Sequence, residues 1–154
     1  LAIDATGEGG GLCDILAKTW SPAIQRVEFG GRASERPVSP EDHRKSCDVY
    51  ANKVTELWFS VRQWVINEQL RGMPADVVVE FCSRMFDDAK RMTIIERKVD
   101  MKARTGKSPD LADAVALVVE MARRLGGYAT ATANKRGESS WDKLVLQYNS
   151  IYDN

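Results

Sequence analysis

The chain has 154 residues, 44% of them hydrophobic and 29% charged, with 22 basic residues balancing 22 acidic ones. That length and apolar content suit a single folded domain with its own core, and the neutral total gives no general attraction to nucleic acid. The three cysteines (Cys13, Cys47, Cys82) are far apart and odd in number, which argues for a reducing compartment and against a zinc site or disulfide framework; no apolar run approaches the roughly 18–20 residues of a membrane span, and no signal peptide is visible.

In chain order, residues 1–4 read as the end of a buried strand, and the glycine-rich stretch 5–11 as a turn. A helix is expected over Leu12 to Thr19, with Leu12, Ile15 and Leu16 inward, and a strand over Ala23 to Phe29, which alternates at period two. A strand–turn–helix–strand run of this kind builds α/β sheets. Residues 30–42 lack an apolar period and read as a loop. One long helix is expected over Lys45 to Leu70, its apolar residues recurring at helical spacing and its tryptophans serving as core. A short helix from Pro74 to about Phe86 follows, with Val77, Val78, Phe81 and Met85 inward, then a strand at Met92 to Glu96.

Seven basic residues against two acidic ones lie between Lys90 and Lys107. This local excess, with a turn expected at Thr105–Lys107, is either a solvated face or an edge that contacts phosphates. The last helix is expected from Ser108 to about Leu125, with Ser108 as N-cap and Pro109 in the first helical position, and Gly126–Gly127 stops it. The domain is therefore drawn over 1–125, and 126–154 is read as a C-terminal tail, with a short helix expected at Trp141 to Leu146. The chain opens on Leu1, already within a strand, and is read as a piece of a longer polypeptide.

Three carboxylates attract attention. Asp110 and Asp113 are three apart and share a helix face. An acid in the first turn complements the helix dipole, which is an adequate reason for Asp110. Asp113 lies among Ala112, Ala114, Val115, Ala116 and Leu117, where a carboxylate is costly unless paired or bound to a metal. Asp4 sits at the C-terminal end of a strand, where open α/β sheets place functional groups, although an aspartate there also caps the turn that follows. Carboxylates converging from a strand end and a helix face suit hard divalent cations, and two such ions can activate water and stabilise a leaving oxygen in phosphodiester cleavage. The glycine turn is not an ATP cradle: G-x-x-x-x-G-K is absent, and Leu12 stands where the third glycine of G-x-G-x-x-G belongs.

Taken together, three segments resemble phage terminase large subunits. Asp4-Ala5-Thr6-Gly7-Glu8-Gly9, with Asp14 and Leu16, is similar to their DATG-x-G segment. Asn52-Lys53, with Glu56, Trp58 and Arg62, is similar to their NKR-x-E-x-W helix. Lys98 to Arg104, with Ser108-Pro109-Asp110-Leu111-Ala112-Asp113-Ala114, is similar to their closing SPDLADAL motif. The resemblance covers roughly residues 1–125 and implies an α/β, ribonuclease H-like fold, a mixed central sheet flanked by helices. It implies a metal-dependent endonuclease that cuts concatemeric double-stranded DNA during genome packaging, with Mg²⁺ or Mn²⁺ in a two-metal site. By motif, Asp4, Asp110 and Asp113 are the catalytic and metal-binding acids. Lys98 is a candidate DNA contact, and with it Lys102, Arg104 and Lys107 of the basic stretch; Asp14 reads as structural. The resemblance further implies the portal protein and the small terminase subunit as partners and an N-terminal ATPase domain in the parent polypeptide. It implies action in the host cytoplasm at the procapsid portal vertex, and no membrane. In such proteins another metal-binding aspartate comes from a first strand, expected to lie outside this chain. A non-catalytic DNA- or portal-docking module and another ribonuclease H-like enzyme, such as a junction resolvase, are the competing readings.

Overall fold

A computed structural model of the chain describes residues 1–125 apart from Pro22 and Lys90; the expected tail and its short helix lie outside the described residues. Strand β1 (Ala2–Asp4) pairs in parallel with β2 (Gln25–Val27), with Asp4 opposite Val27. Parallel neighbours need a crossover, and helix α1 (Gly9–Thr19) supplies it. The helix begins three residues earlier than its apolar pattern implied, because the glycines enter it. A Cβ on Gly9 would stand 1.9 Å from the Asp4 carbonyl oxygen, so the backbone of α1 rests directly on the end of β1. That contact sets the helix's rotation. Gly9, Cys13 and Leu16 share the inward face, Cys13 is fully buried, and the expected core residues Leu12 and Ile15 are exposed.

The long helix expected over Lys45 to Leu70 is two helices, α2 (Ser46–Val49) and α3 (Lys53–Ile66). The break has a tertiary cause. Tyr50 is extended and bridges to Thr93; the Thr93 N–H donates to the Val49 carbonyl at 2.8 Å, and the Ala51 N–H donates to the Thr93 carbonyl at 2.9 Å. Asn52 then restarts the helix as N-cap, its Oδ1 accepting from the Thr55 N–H at 3.0 Å.

Helix α4 (Ala75–Ser83) ends before Phe86, and Met85 is exposed rather than inward. The chain turns at Arg84 into an antiparallel pair, β3 (Phe86–Asp87) with β4 (Ile94–Ile95). Much of the basic stretch is helix α5 (Lys98–Thr105), and the turn expected at Thr105–Lys107 follows at its end, where Gly106 at φ 74° closes the helix in the left-handed conformation that glycine tolerates. Asp100 in its first turn and Lys102 and Arg104 in its last complement the helix dipole.

Helix α6 (Asp110–Arg124) follows. Pro109, not Ser108, occupies the N-cap position, and the Ser108 hydroxyl donates to Asp110 Oδ1 at 2.9 Å. The Ala112 N–H is instead satisfied from α4, by Glu80 Oε2 at 2.8 Å. The main core joins Leu57, Trp58 and Val61 of α3, Val77 and Phe81 of α4, and Ala112, Ala116 and Val119 of α6, with Val27 and Ile95 from the strands. Alanines at 112 and 116 let α6 approach closely, and each fully buried large side chain contributes on the order of 1.5–3 kcal/mol. The described residues thus form a mixed α/β arrangement with one parallel and one antiparallel strand pair.

Candidate functional site

The core packing decides what faces what at the start of α6. With Ala112 and Ala116 fully buried, Asp113 is turned partly inward beside the end of β1, and Asp110 faces solvent. The Asp113 side chain is 14% exposed and that of Asp110 72%. Asp4 ends β1, and its Oδ1 accepts from the Thr6 N–H at 3.0 Å and the Phe29 N–H at 3.4 Å. These bonds fix the carboxylate at the strand terminus. The capping and functional readings of Asp4 are therefore compatible.

Lys98, the first residue of α5, reaches both acids of α6: its Nζ donates to Asp110 Oδ1 at 2.7 Å and to Asp113 Oδ2 at 3.0 Å. Arg84 approaches from the other side. Its guanidinium is 4% exposed, lies 4.5 Å from the centre of the Trp58 ring, and donates through Nε to the Glu96 carbonyl at 2.8 Å. Arg84 Nη1 is 3.6 Å from Asp113 Oδ1, too far for a hydrogen bond, and both atoms are buried without a hydrogen-bond partner among the described residues. Arg84 carries no sequence signal of this role, because its partners Trp58 and Asp113 are distant in the chain.

Burial pushes the Asp113 carboxyl above its ordinary range; Lys98 and Arg84 pull it back, and the negative charge of Asp4 adds to the rise. Asp110, exposed, is held below the usual carboxylate range by hydrogen bonds from Lys98 and Ser108. Burial works against the Lys98 charge, but the hydrogen bonds to Asp110 and Asp113 outweigh it and leave the ammonium above its usual range. Burial lowers Arg84, against the opposing pull of Asp113 and Glu96.

The other basic candidates are placed differently. Lys102 and Lys107 are exposed. Arg104 is bound in a fork to Glu96, Nε to Oε1 at 3.0 Å and Nη2 to Oε2 at 2.6 Å, and also donates to the Ser83 carbonyl at 2.7 Å. Those bonds tie α5 to the β3–β4 hairpin. Asp14 is ion-paired with Arg26.

Among the described residues no group of three Asp, Glu, His or Cys side chains is placed to hold a metal ion. The oxygen donors that are present still suit one. Mg²⁺ retains waters and binds through one or two carboxylates plus substrate phosphates, and Asp113 offers a buried oxygen with no hydrogen bond in a site that also feels the charge of Asp4.

The described chain is a mixed α/β domain that gathers acidic and basic side chains where the end of β1 meets the start of α6. Its fold is that of a phage terminase nuclease domain. Among solved structures it is similar to the nuclease domain of the large terminase subunit gp2 of bacterial virus Sf6, with a TM-score of 0.56 and 19% sequence identity over 77% of this chain and 63% of that one. A mutant of the same domain, with manganese and beta-thujaplicinol, gives a TM-score of 0.55 and 18% identity over the same shares. The chain thus matches less than two thirds of the length of these domains. No protein-family model and no curated protein matches the sequence.

Proposed function

We propose that the chain is the ribonuclease H-like nuclease domain of a phage terminase large subunit, a divalent-metal-dependent endonuclease that cuts concatemeric double-stranded DNA during packaging. The observation that carries this reading is Asp113: a largely buried carboxylate on α6, raised by burial and by Asp4, with one buried oxygen that has no hydrogen bond among the described residues. The fold likeness and the manganese in a neighbour's structure support it.

Asp4 and Asp113 would hold Mg²⁺ or Mn²⁺, with Asp110 beside them, and a bound ion of this kind supplies an activated water and neutralises charge on a transferring phosphoryl group. Lys98 holds the two α6 acids in one orientation and brings a positive charge to the site. Lys102 and Lys107, exposed beyond it, suit the DNA backbone, and binding through them would weaken steeply with salt. The portal protein, the small terminase subunit and an N-terminal ATPase domain of the same polypeptide are the proposed partners, at the procapsid portal vertex in the host cytoplasm.

A second reading, a DNA- or portal-docking module without catalysis, is favoured by the lack of three metal-ligating side chains among the described residues. Plasmid nicking with Mg²⁺ or Mn²⁺ decides between the two, comparing this chain, a longer polypeptide that carries it, and the longer polypeptide with Asp113→Asn. Cleavage by the longer polypeptide that disappears with Asp113→Asn supports the nuclease. DNA binding without cleavage in any form supports the docking module.

A further inference from the structure

A cavity of about 370 Å³ lies between the 36–43 loop and α3, with Arg123 at its inner end. It is separate from the carboxylate site. Asp113 and Arg123 are ten residues apart on α6, about 15 Å along a helix axis. Its walls are largely apolar, and Val38, Pro40 and Trp64 are among the residues that line it. Its polar groups differ in what they already bind. Arg123 is spent on Glu56, to which Nη2 donates at 2.6 Å, and the Ser60 hydroxyl donates to the Glu56 carbonyl at 2.8 Å. Arg36 has no ion pair among the described residues, and its Nη1 is buried with no hydrogen-bond partner. Arg36 lines the cavity, so its unpaired charge is left to an oxyanion that enters there.

We propose that this cavity binds a small aromatic oxyanion, a flat ring carrying one carboxylate or one phosphate. The ring lies against Trp64 and Val38, the anionic group pairs with Arg36, and the exposed His43 stands at the rim. The volume falls within the usual range of small-molecule sites and holds one ring system with a short acidic arm.

The test is a titration of the 154-residue chain with indole-3-acetate and with thymidine 5′-monophosphate, followed by the NMR signals of the Trp64 indole and the Arg36 side chain. The uncharged tryptophol serves as control. Saturable shifts of both signals are expected, with a dissociation constant on the order of 1 mM for a ligand of this size. Whichever anion binds more tightly identifies the source, an amino-acid-type carboxylate or a nucleotide-type phosphate. Arg36→Met should weaken binding at least about tenfold with little change in melting temperature, since no hydrogen bond of the guanidinium is lost. Trp64→Leu should weaken it independently. The proposal is overturned if neither anion shifts these signals at about 20 mM, well above that constant. It is equally overturned if tryptophol binds as well as the anions, if Arg36→Met binds like the parent, or if the shifts fall on Lys98 and Asp113 instead.

Discussion

Arg84 Nη1 faces Asp113 Oδ1 across 3.6 Å, and neither atom forms a hydrogen bond among the described residues. A pair bound for stability alone would close that gap, because two buried charged groups gain most when hydrogen-bonded. The arrangement leaves a buried carboxylate oxygen ion-paired with Arg84 but without a hydrogen bond among the described residues. Asp113→Asn should therefore abolish metal-dependent nicking and change stability by only about 1 kcal/mol. The sign follows from the raised carboxyl: a folded-state pKa above the unfolded one means that ionised Asp113 opposes folding at neutral pH, and Asn removes that opposition. Nicking and thermal melting on the same preparations check it. A loss of several kcal/mol would mark Asp113 as a structural ion-pair member instead.

Lys98 occupies the position from which it satisfies Asp110 and Asp113 together. It therefore competes with any cation for the same carboxylates. In Lys98→Met the thermal shift produced by Mn²⁺ should grow, because the acids lose their internal counter-charge, while nicking falls. Differential scanning with and without Mn²⁺ measures the first effect. An unchanged or smaller shift would mean that Lys98 does not share its acids with the metal.

What the sequence made legible follows from the range of the forces involved. The strand end at Asp4, the α6 helix and the shared face of Asp110 and Asp113 were readable because they rest on local period and spacing. Helix α5 was not, since its only buried residue is Met101 and a helix polar on nearly every side has no apolar period to read; dipole-matching charges and Gly106 hold it. The break at Tyr50–Asn52 was hidden because its cause, Thr93, is some forty residues away. Arg84 was missed for the same reason, and Ser108 was misassigned because Glu80, from another helix, satisfies the start of α6.

Gly9 separates the glycines that matter from those that do not. A methyl group there would stand 1.9 Å from the Asp4 carbonyl oxygen, a backbone atom that cannot swing aside. Gly9→Ala should cost about 1–3 kcal/mol or more and displace the strand end that carries Asp4, so nicking should fall with it. Gly11, in the same helix, has nothing within 4 Å of the added carbon. Gly11→Ala should be neutral or stabilise by about 0.5–1 kcal/mol through helix propensity. Melting temperatures of the two variants test the contrast, and similar values for both would remove Gly9 as the contact that seats α1 on β1.

Glu56 presents the opposite balance to Asp113. It is fully buried and accepts four bonds: from the Ser34 N–H at 2.7 Å, the Ser34 hydroxyl at 2.6 Å, Arg123 at 2.6 Å and Lys53 at 3.3 Å. Burial pushes its carboxyl up, but Arg123, Lys53 and the Ser34 bonds outweigh burial and hold it below its ordinary value of 4.5. A folded-state pKa below the unfolded one gives stability that is fully present above about pH 4.5 and is lost as the pH falls through the depressed value. Glu56→Ala should cost on the order of 3–5 kcal/mol, because among the described residues Arg123 and Lys53 then share only Glu120 as a buried counter-charge. Glu56→Gln keeps the shape but not the charge, so it should lower stability at pH 7 and flatten the acid side of the stability profile. Urea midpoints between about pH 3 and 7 read both effects. A Gln variant whose midpoint still fell below pH 4.5 as steeply as the parent's would place the acid sensitivity on other carboxylates and leave Glu56 with a packing role only.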